Sequence, residues 1–359
     1  MIRRLLVLNG LASTAVAFHH AAAYGFAALF NWTNAYRDVA VPNYDMLGSP
    51  AYYYLLGVRL LIGSYGIPAF LLVSGFYAAF AADSNGQMPW NIISTRVKKF
   101  IAPFLLWTVL FFVMQRSLPR GLDDILKTYY YIPLIIQFYF LSPWLGPLAK
   151  KHWPIFLLVT FFIQFGIDAA GYLRALGVDS LLVRTIVNLT PIWFFPTRIF
   201  FFALGMVIGF HRKLFGNWLT RYRFALLAAL ILFAVSSFVE YLWVDQANGP
   251  QWLGPSFIGV FRTLYAVTFS LVLLGFEKTK LPLEKQLSDI GMVSLGIYLV
   301  NTPAIYVTST LIYKFAPWML GQQILYQPIV TAAGLFIPLL LLRLFRQPPL
   351  KRFSTLIFG

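Results

Sequence analysis

Residues 322–342 read QQILYQPIVTAAGLFIPLLLL, a stretch without a charged side chain that ends at Arg343. Because a helix rises about 1.5 Å per residue, a run of this length crosses the roughly 30 Å hydrocarbon core of a bilayer. Comparable apolar runs recur along the whole chain. Hydropathy, with glycine, proline and charge clusters as boundaries, predicts ten membrane spans near residues 5–29, 66–83, 99–117, 130–148, 153–173, 192–210, 222–244, 256–276, 289–312 and 322–345.

The composition agrees with lipid as the solvent of this protein. Of 359 residues, 59% are hydrophobic and only 11% are charged, which leaves too little polar surface to cover a soluble globule. The sequence therefore predicts an all-α, polytopic integral membrane helix bundle that forms one domain over residues 1–359. The stretch 51–64 is apolar but short and contains Arg59, so it is expected either to lie at the interface or to extend the second span.

The basic residues indicate topology. The net charge is +16, but the lysines and arginines occur in short clusters between apolar runs, without the continuous basic stripe of a nucleic-acid-binding protein. Nucleic acid is therefore not an expected partner, whereas membrane lipids are. If the N-terminus is cytoplasmic, most of the 28 basic residues fall on the cytoplasmic side. We predict a multi-pass protein of the cell inner membrane with both termini in the cytoplasm.

The first apolar segment has a second interpretation. Arg3 and Arg4, followed by an apolar stretch and three alanines at 21–23, are also typical of a cleaved signal peptide. The adjacent His19 and His20, just before that cleavage site, are unusual in such a segment, and we interpret it as a membrane helix. The absence of cysteine excludes disulfides and a cysteine nucleophile.

Two histidines at membrane depth are functional candidates, because ionisable groups there are costly. His20 lies about 22 Å along the helix from Leu5, beyond the midplane of the bilayer, where a neutral imidazole is able to accept a proton. Adjacent helical residues point about 100° apart, so only one of His19 and His20 is expected to face the interior of the bundle. For the same reason the pair is poorly placed to share one ion, and no metal site is predicted.

The remaining membrane-depth charges are expected to pair with one another, since opposite charges in such surroundings usually do. They are Asp168, Glu240, Arg198 and Arg262, and Arg59 belongs either with them or at the interface.

A basic cluster formed by Arg96, Lys98 and Lys99 lies at the cytoplasmic end of the third span. It is expected to contact lipid headgroups or the phosphates of a cofactor, and charge alone does not separate these interpretations.

Several segments, in order along most of the chain, resemble the membrane-bound acyltransferase family 3, which acylates surface polysaccharides, peptidoglycan, lipid-linked sugars and some small molecules. Residues 67–76 (IPAFLLVSGF) resemble the apolar run of the family that ends in Ser-Gly-Phe, and residues 96–103 (RVKKFIAP) resemble the start of its third helix. Residues 132–143 (IPLIIQFYFLSP) and 291–300 (GMVSLGIYLV) are similar to its fourth-helix motif and its late Gly-x-x-Ser element.

The resemblance implies that the protein transfers an acyl group, expected to be acetyl, from acyl-CoA to a hydroxyl of a carbohydrate, a lipid-linked sugar or another cell-envelope acceptor. Acyl-CoA is then a co-substrate, and no further cofactor is expected. The first helix of the family carries an arginine and, eleven positions later, an essential histidine. His20 matches that histidine and Asn9 stands where the arginine would be. Asn301 stands where many relatives have another histidine.

Site roles follow from this alignment and from the needs of acyl transfer. His20 is expected to be the base that deprotonates the acceptor hydroxyl, or to be acylated itself, with Asn9 as its partner at the catalytic centre. Arg96, Lys98 and Lys99 are expected to bind the CoA phosphates. Further hydrogen bonds are expected from Asn9, Ser74, Ser294, Tyr298 and Asn301, unless these side chains bond to helix carbonyls.

Two other function classes fit a polytopic bundle. In a transporter or flippase, His20 and the buried charges would form a proton or substrate pathway. A non-catalytic assembly protein is the other alternative. Consumption of a thioester in the presence of candidate acceptors separates the enzyme from both.

Overall fold

The chain folds into a bundle of membrane helices. A computed structural model describes residues 1–248 and 259–359, and the regular elements of these residues are helices. In chain order the membrane helices are α1 (Ile2–Phe30), α2 (Pro50–Phe80), α3 (Trp90–Gln115), α4 (Tyr131–Lys151), α5 (Trp153–Ala175), α6 (Phe195–Phe210), α7 (Arg212–Asn248), α8 (Val260–Gly275), α9 (Ser294–Phe315) and α10 (Gln323–Leu344). Eight of them are long and apolar enough to cross a membrane, and α6 and α8 are shorter. The predicted fold class is confirmed.

Several helix ends differ from the predicted spans: α3 and α7 begin at Trp90 and Arg212, before the predicted residues 99 and 222, and the largest difference is at the start of α2. The second span was predicted to begin at residue 66, but α2 begins at Pro50, so the stretch 51–64 extends this helix. The eighth span was predicted to begin at residue 256, and residues 256–258 lie outside the described residues; α8 is described from Val260.

Short helices cap the two ends of the bundle. On the side of the termini they are Glu284–Met292, Leu350–Phe353 and Ser354–Phe358. On the opposite side they are Asn34–Arg37, Tyr44–Met46, Leu122–Thr128, Leu181–Leu189 and Pro317–Gly321. We call the half of the bundle that contains the termini the proximal half and the other half the distal half.

Polar contacts tie the start of α1 to the proximal loop after α8. The guanidinium of Arg4, which is 2% exposed, donates to the carbonyl oxygens of Phe276 at 3.1 Å and of Thr279. Arg3 forms an ion pair with Glu284 at 3.1 Å. The hydrogen bonds from Arg4 satisfy backbone carbonyl groups that follow the last turn of α8 and have no partner within that helix.

Helix α1 lies in the middle of the bundle. It contacts α2, α8, α9 and α10, together with the helix Glu284–Met292. Leu5, Leu8, Ala12 and Phe26 are almost completely buried. The outer helices α3, α5 and α7 instead present large exposed apolar side chains, as expected for surfaces in lipid. The central position of α1 supports the interpretation of this segment as a membrane helix of the bundle.

Glycines allow α2 and α6 to pack backbone against backbone. Where α2 crosses α6, a Cβ atom added to Gly75 would lie 2.1 Å from the carbonyl oxygen of Phe202, and one added to Gly205 would lie 2.0 Å from that of Leu72. Small residues commonly mediate such crossings in membranes, because dispersion contacts between close backbones hold the helices together.

Helix α2 is irregular in its distal half. It is α-helical over Pro50–Gly57, widens to a π turn over Val58–Ile62, tightens to a 3-10 turn over Gly63–Tyr65 and is regular again over Gly66–Phe80. Such turns shift the side chains that follow them relative to a straight helix and are frequent at functional sites. Arg59, Gly63 and Ser64 lie in this segment.

The predicted topology is testable because the chain contains no cysteine. We expect a cysteine at Gly121, in the distal loop after α3, to react with a membrane-impermeant maleimide in intact cells. A cysteine at Lys278, in the proximal loop after α8, should react only after the membrane is opened. The reverse pattern would place the termini outside.

The glycine crossing of α2 and α6 predicts a large effect of one methyl group. Gly205→Ala should lower the free energy of unfolding by about 1–3 kcal/mol through overpacking, although alanine is the better helix former. Thermal unfolding of the purified protein measures this loss. Gly166→Ala in α5 is the matched control, because a Cβ atom there meets nothing within 4 Å. Equal midpoints for the two variants would show that the crossing is not tight.

Candidate functional site

Two of the cavities that the described residues form lie inside the bundle, one in each half. The distal cavity has a volume of about 390 Å³ and is lined by His19, His20, Arg59, Arg198 and Arg262, among others. The proximal cavity has a volume of about 260 Å³, and its lining includes Asn9, Ser74, Arg96, Tyr139 and Ser294. Tyr298 lines both cavities. The predicted site residues are therefore divided between two chambers.

Both histidines line the distal cavity. The prediction that only one of them faces the interior is wrong. The rings meet edge to face, with centroids 5.7 Å apart, and a Cβ atom added to Gly63 would lie 2.5 Å from Nδ1 of His19. Gly63, in the irregular part of α2, has no side chain and so leaves room for His19 beside the cavity. The side chains of His19 and His20 therefore reach the same cavity although they point about 100° apart.

Three arginines from three helices join the histidines. Arg59 comes from α2, Arg198 from the start of α6 and Arg262 from the start of α8. Arg262 interacts electrostatically with the other two arginines. His19 interacts in the same way with Arg59 and Arg262, and His20 interacts with Arg59. Arg59 thus belongs with the membrane-depth charges, which resolves the choice that the sequence left open.

The expected pairing of buried charges is confirmed for Asp168 and Arg198. Their Oδ1 and Nη1 atoms are 3.6 Å apart, and both residues are less than 10% exposed. Asp168 also accepts a hydrogen bond from the hydroxyl of Thr263 at 2.8 Å. Glu240 accepts hydrogen bonds from the backbone N–H groups of Val260 and Phe261, so its carboxylate holds the N-terminus of α8.

Two of these arginines are held in place by local contacts. Nε of Arg262 donates to the hydroxyl of Ser64 at 2.7 Å, and that hydroxyl donates in turn to the carbonyl of Leu60. The guanidinium of Arg59 lies 5.8 Å from the ring centroid of Phe26 in α1. The irregular segment of α2 thus contributes one cation and orients another.

In the proximal cavity, Asn9 is hydrogen-bonded to α9 and to the short helix Glu284–Met292 that precedes it. Its Nδ2 donates to the carbonyl of Gly291 at 2.9 Å and to the hydroxyl of Ser294 at 2.8 Å. Asn9 and His20 are eleven residues apart, about 16 Å along α1, and line different cavities. Asn9 therefore orients groups of the proximal cavity and lies too far along the helix to share a proton with His20.

The structure separates the three predicted CoA-binding residues. Arg96 lines the proximal cavity, where its guanidinium lies 5.2 Å from the ring centroid of Tyr139 and donates to the carbonyl of Tyr77 at 3.4 Å. Lys98 and Lys99 lie on the same helix but are exposed and outside the lining. The geometry brings only Arg96 of this cluster to the cavity.

Tyrosines form the partition between the two cavities. The hydroxyl of Tyr298 accepts a hydrogen bond from the backbone N–H of Tyr131 at 3.3 Å, and the hydroxyl of Tyr131 bonds to that of Ser74 at 3.1 Å. Tyr130, the residue before Tyr131, lines the distal cavity, whereas Tyr131 lines the proximal one. Hydropathy and motifs did not predict this partition, although three consecutive tyrosines at residues 129–131, at the start of a membrane helix, are a visible signal.

The side chain of Asn301 is hydrogen-bonded to a carbonyl of its own helix. It is fully buried, and its Nδ2 donates to the carbonyl of Tyr298 at 3.1 Å within α9. Its contribution to the site is therefore to fix the turn of α9 that carries Tyr298.

Comparisons with known proteins agree with this architecture. A family model described as an acyltransferase domain matches residues 4–343. Proteins of Staphylococcus aureus strains MSSA476 and MRSA252, each named as a probable poly-beta-1,6-N-acetyl-D-glucosamine export protein, are 24% identical over 257 residues, which cover 66% of this chain and 68% of theirs. No solved structure matches. Because the family model spans nearly the whole chain, this multi-pass membrane protein belongs to the membrane-bound acyltransferase family 3.

Proposed function

We propose that this protein transfers an acyl group from acyl-CoA to a hydroxyl of a carbohydrate or lipid-linked sugar, with His20 as the general base. The observation that carries this proposal is the pair of cavities that open into opposite halves of the bundle and share Tyr298. A donor that arrives from one side and an acceptor that arrives from the other would meet at that residue. One chamber contains the histidines and the other contains Arg96.

The proximal cavity suits the donor. Arg96 supplies a guanidinium for CoA phosphate at the proximal end of α3, and serine, tyrosine and asparagine side chains line the path inward. The thioester would reach the Tyr298 partition, while the bulky nucleotide stays outside the bundle. The tyrosines of that partition come from the start of α4, from the residue directly before it and from α9.

The chemistry at the partition is a simple acyl exchange. A neutral histidine takes the proton of the acceptor hydroxyl, and the hydroxyl oxygen attacks the thioester carbonyl. The carbon–sulfur bond then breaks, the CoA thiolate accepts the proton, and the products are an ester and free CoA. In the two-step alternative, the imidazole attacks the thioester carbonyl, the carbon–sulfur bond breaks and CoA leaves as its thiol; the acceptor hydroxyl then attacks the acyl-imidazole, and the imidazole leaves with the hydroxyl proton.

Orientation in the membrane completes the proposal. With both termini in the cytoplasm, as the distribution of basic residues predicts, the proximal cavity faces the cytoplasmic pool of acyl-CoA. The distal cavity then faces the outer side of the inner membrane, where cell-envelope sugars are available. The name of the relatives adds N-acetylglucosamine glycans as a first class of candidate acceptors.

The same name favours a second candidate function, because those relatives are described as export proteins. In that function the two cavities would be parts of a pathway for a glycan. Release of free CoA from acetyl-CoA by the purified protein, in the presence of both neutral and phosphorylated N-acetylglucosamine oligosaccharides, separates the two functions. Export without acyl transfer releases none.

Substitution of the histidines tests the assignment of the base. His20→Ala should lower acyl transfer by on the order of 10²-fold or more, because a general base contributes about that much, while binding of CoA is retained. His20→Gln keeps hydrogen-bonding capacity but accepts no proton at neutral pH, so it should be equally inactive. Thiol release and CoA binding are the two measurements.

His19→Ala should cost less than tenfold, since His19 packs against Gly63 and the alignment assigns the base to His20. His152→Ala, exposed between α4 and α5, is the control for loss of any histidine. An active His20→Gln protein, or an inactive His19→Ala protein beside an active His20→Ala protein, would contradict the assignment.

Donor binding is tested at the basic cluster. Arg96→Gln should raise KM for acetyl-CoA by about tenfold with a smaller change in kcat, because a phosphate contact is made in the ground state and the transition state alike. The double variant Lys98→Gln, Lys99→Gln should raise KM less, since both lysines lie outside the cavity. An unchanged KM in Arg96→Gln would contradict donor binding by Arg96 and favour the alternative that this cluster contacts lipid headgroups.

A further inference from the structure

The distal cavity carries an unusual set of charges. Four basic residues line it, Arg59, Lys127, Arg198 and Arg262, and among the described residues no aspartate or glutamate does. Residues 247–258 contain no ionisable side chain in the sequence, so they add no charge of either sign. An occupant of this cavity therefore touches cationic groups and histidines.

The carboxylates near these cations lie outside the lining. Asp123 forms an ion pair with Lys127, and Asp168 is bonded to Arg198 and to the hydroxyl of Thr263. Glu240 is bonded to the backbone of α8. These contacts help to hold the basic side chains and α8 in place but leave the cavity surface positive.

Clustered arginines within a membrane bundle are costly, because like charges repel strongly where water is scarce. Asp168 is the ion-pair partner of Arg198 and also interacts electrostatically with Arg262, so two of the arginines share one carboxylate. Three arginines from three helices line one cavity, and Ser64, in an irregular turn, orients the guanidinium of Arg262 beside it. This arrangement suits the binding of an anion in the cavity.

A guanidinium binds oxyacid anions better than other ligands. Its planar set of N–H groups matches the two oxygens of a carboxylate or phosphate, and a charge-assisted pair gains strength when water is excluded. Three such groups beside a histidine base would bind an anionic group and hold a neighbouring hydroxyl next to that base.

We propose that the distal cavity selects an acceptor that carries an anionic oxyacid group, a phosphate, diphosphate or carboxylate, bound by Arg59, Arg198 and Arg262. This inference rests on the proposed function only in naming the occupant as the acceptor. A sugar phosphate, a lipid-linked sugar diphosphate and a uronic acid all have this chemistry. A neutral sugar lacks it, so among N-acetylglucosamine glycans the cavity would select one that also carries such an anionic group.

The test measures binding without a donor, so its outcome is independent of catalysis. Purified protein in neutral detergent is titrated with glucose 1-phosphate, glucuronate or glucose at constant ionic strength, and thermal unfolding reports binding. We expect the two anions to raise the unfolding midpoint and glucose to have no effect. A larger shift with one anion identifies the oxyacid group as phosphate or carboxylate.

Arg262→Gln and, separately, Arg59→Gln should weaken binding of the anions by about tenfold, the usual effect of losing one charge-assisted hydrogen bond. Arg174→Gln is the matched control, because Arg174 is exposed at the distal end of α5 and bonded to Asn188. Arg262→Lys keeps the charge without the planar fork and should give intermediate binding, which also guards against misfolding of the glutamine variant.

Three results would overturn the inference. The first is equal stabilisation by glucose and by the anions, and the second is unchanged anion binding in both glutamine variants. The third is an arginine-dependent shift with phosphatidylglycerol but not with the sugar anions, which would make the cavity a lipid headgroup site.

A comparison of donors locates the anion. If Arg262→Gln raises KM for succinyl-CoA but not for acetyl-CoA, and sugar anions do not bind, the anionic group belongs to the acyl chain and the acceptor assignment fails. Arginine-dependent binding of sugar anions without release of CoA would support the inference and refute the proposed transferase.

Discussion

The hydrocarbon layer contains no water, and every polar group placed there must find its partner inside the bundle. This constraint explains why α1 is central. It carries Asn9, His19 and His20, and it is surrounded by α2, α8, α9 and α10. A polar helix at the periphery would expose these side chains to lipid, whereas the outer helices α3, α5 and α7 have apolar faces exposed. The organisation of the whole bundle follows from shielding this helix.

Shielding requires close approach, and close approach requires small residues. Gly10 of α1 packs against the carbonyl of Leu287, and Gly291 packs against that of Leu6, so the Glu284–Met292 helix contacts α1 directly. This packing brings the carbonyl of Gly291 and the hydroxyl of Ser294 within hydrogen-bond distance of Asn9. The position that carries arginine in the resembled family thus carries a neutral amide whose donors are used within the protein.

The same constraint makes the irregular part of α2 meaningful. A regular helix from Pro50 to Phe80 would satisfy its backbone fully, and the π and 3-10 turns over 58–65 disturb that pattern in the middle of a membrane span. The disturbance places Arg59 and Ser64 at the distal cavity and leaves space at Gly63 for His19. Local backbone geometry is therefore coupled to the charge and the shape of the chamber that contains the proposed base.

The sequence alone determined the membrane class, the repeated apolar helices, the family resemblance and the expectation that buried charges of opposite sign pair, without saying which carboxylate pairs with which arginine. Each of these depends on local hydropathy, on motifs in order along the chain, or on the high cost of an unpaired charge in lipid. Only the tertiary structure decided which side chains share a chamber. Arg59, Arg198 and Arg262 are far apart in the chain, and no periodicity predicts that they meet. Helical spacing also failed for the histidines, because the width of the cavity and the irregular turn of α2, not the angle between adjacent residues, decide what His19 and His20 can reach. Closeness in the sequence also does not predict which members of the basic cluster line a cavity. Lys98 and Lys99 are two and three residues from Arg96, but they lie on other faces of α3, so Arg96 lines the proximal cavity and the lysines are exposed.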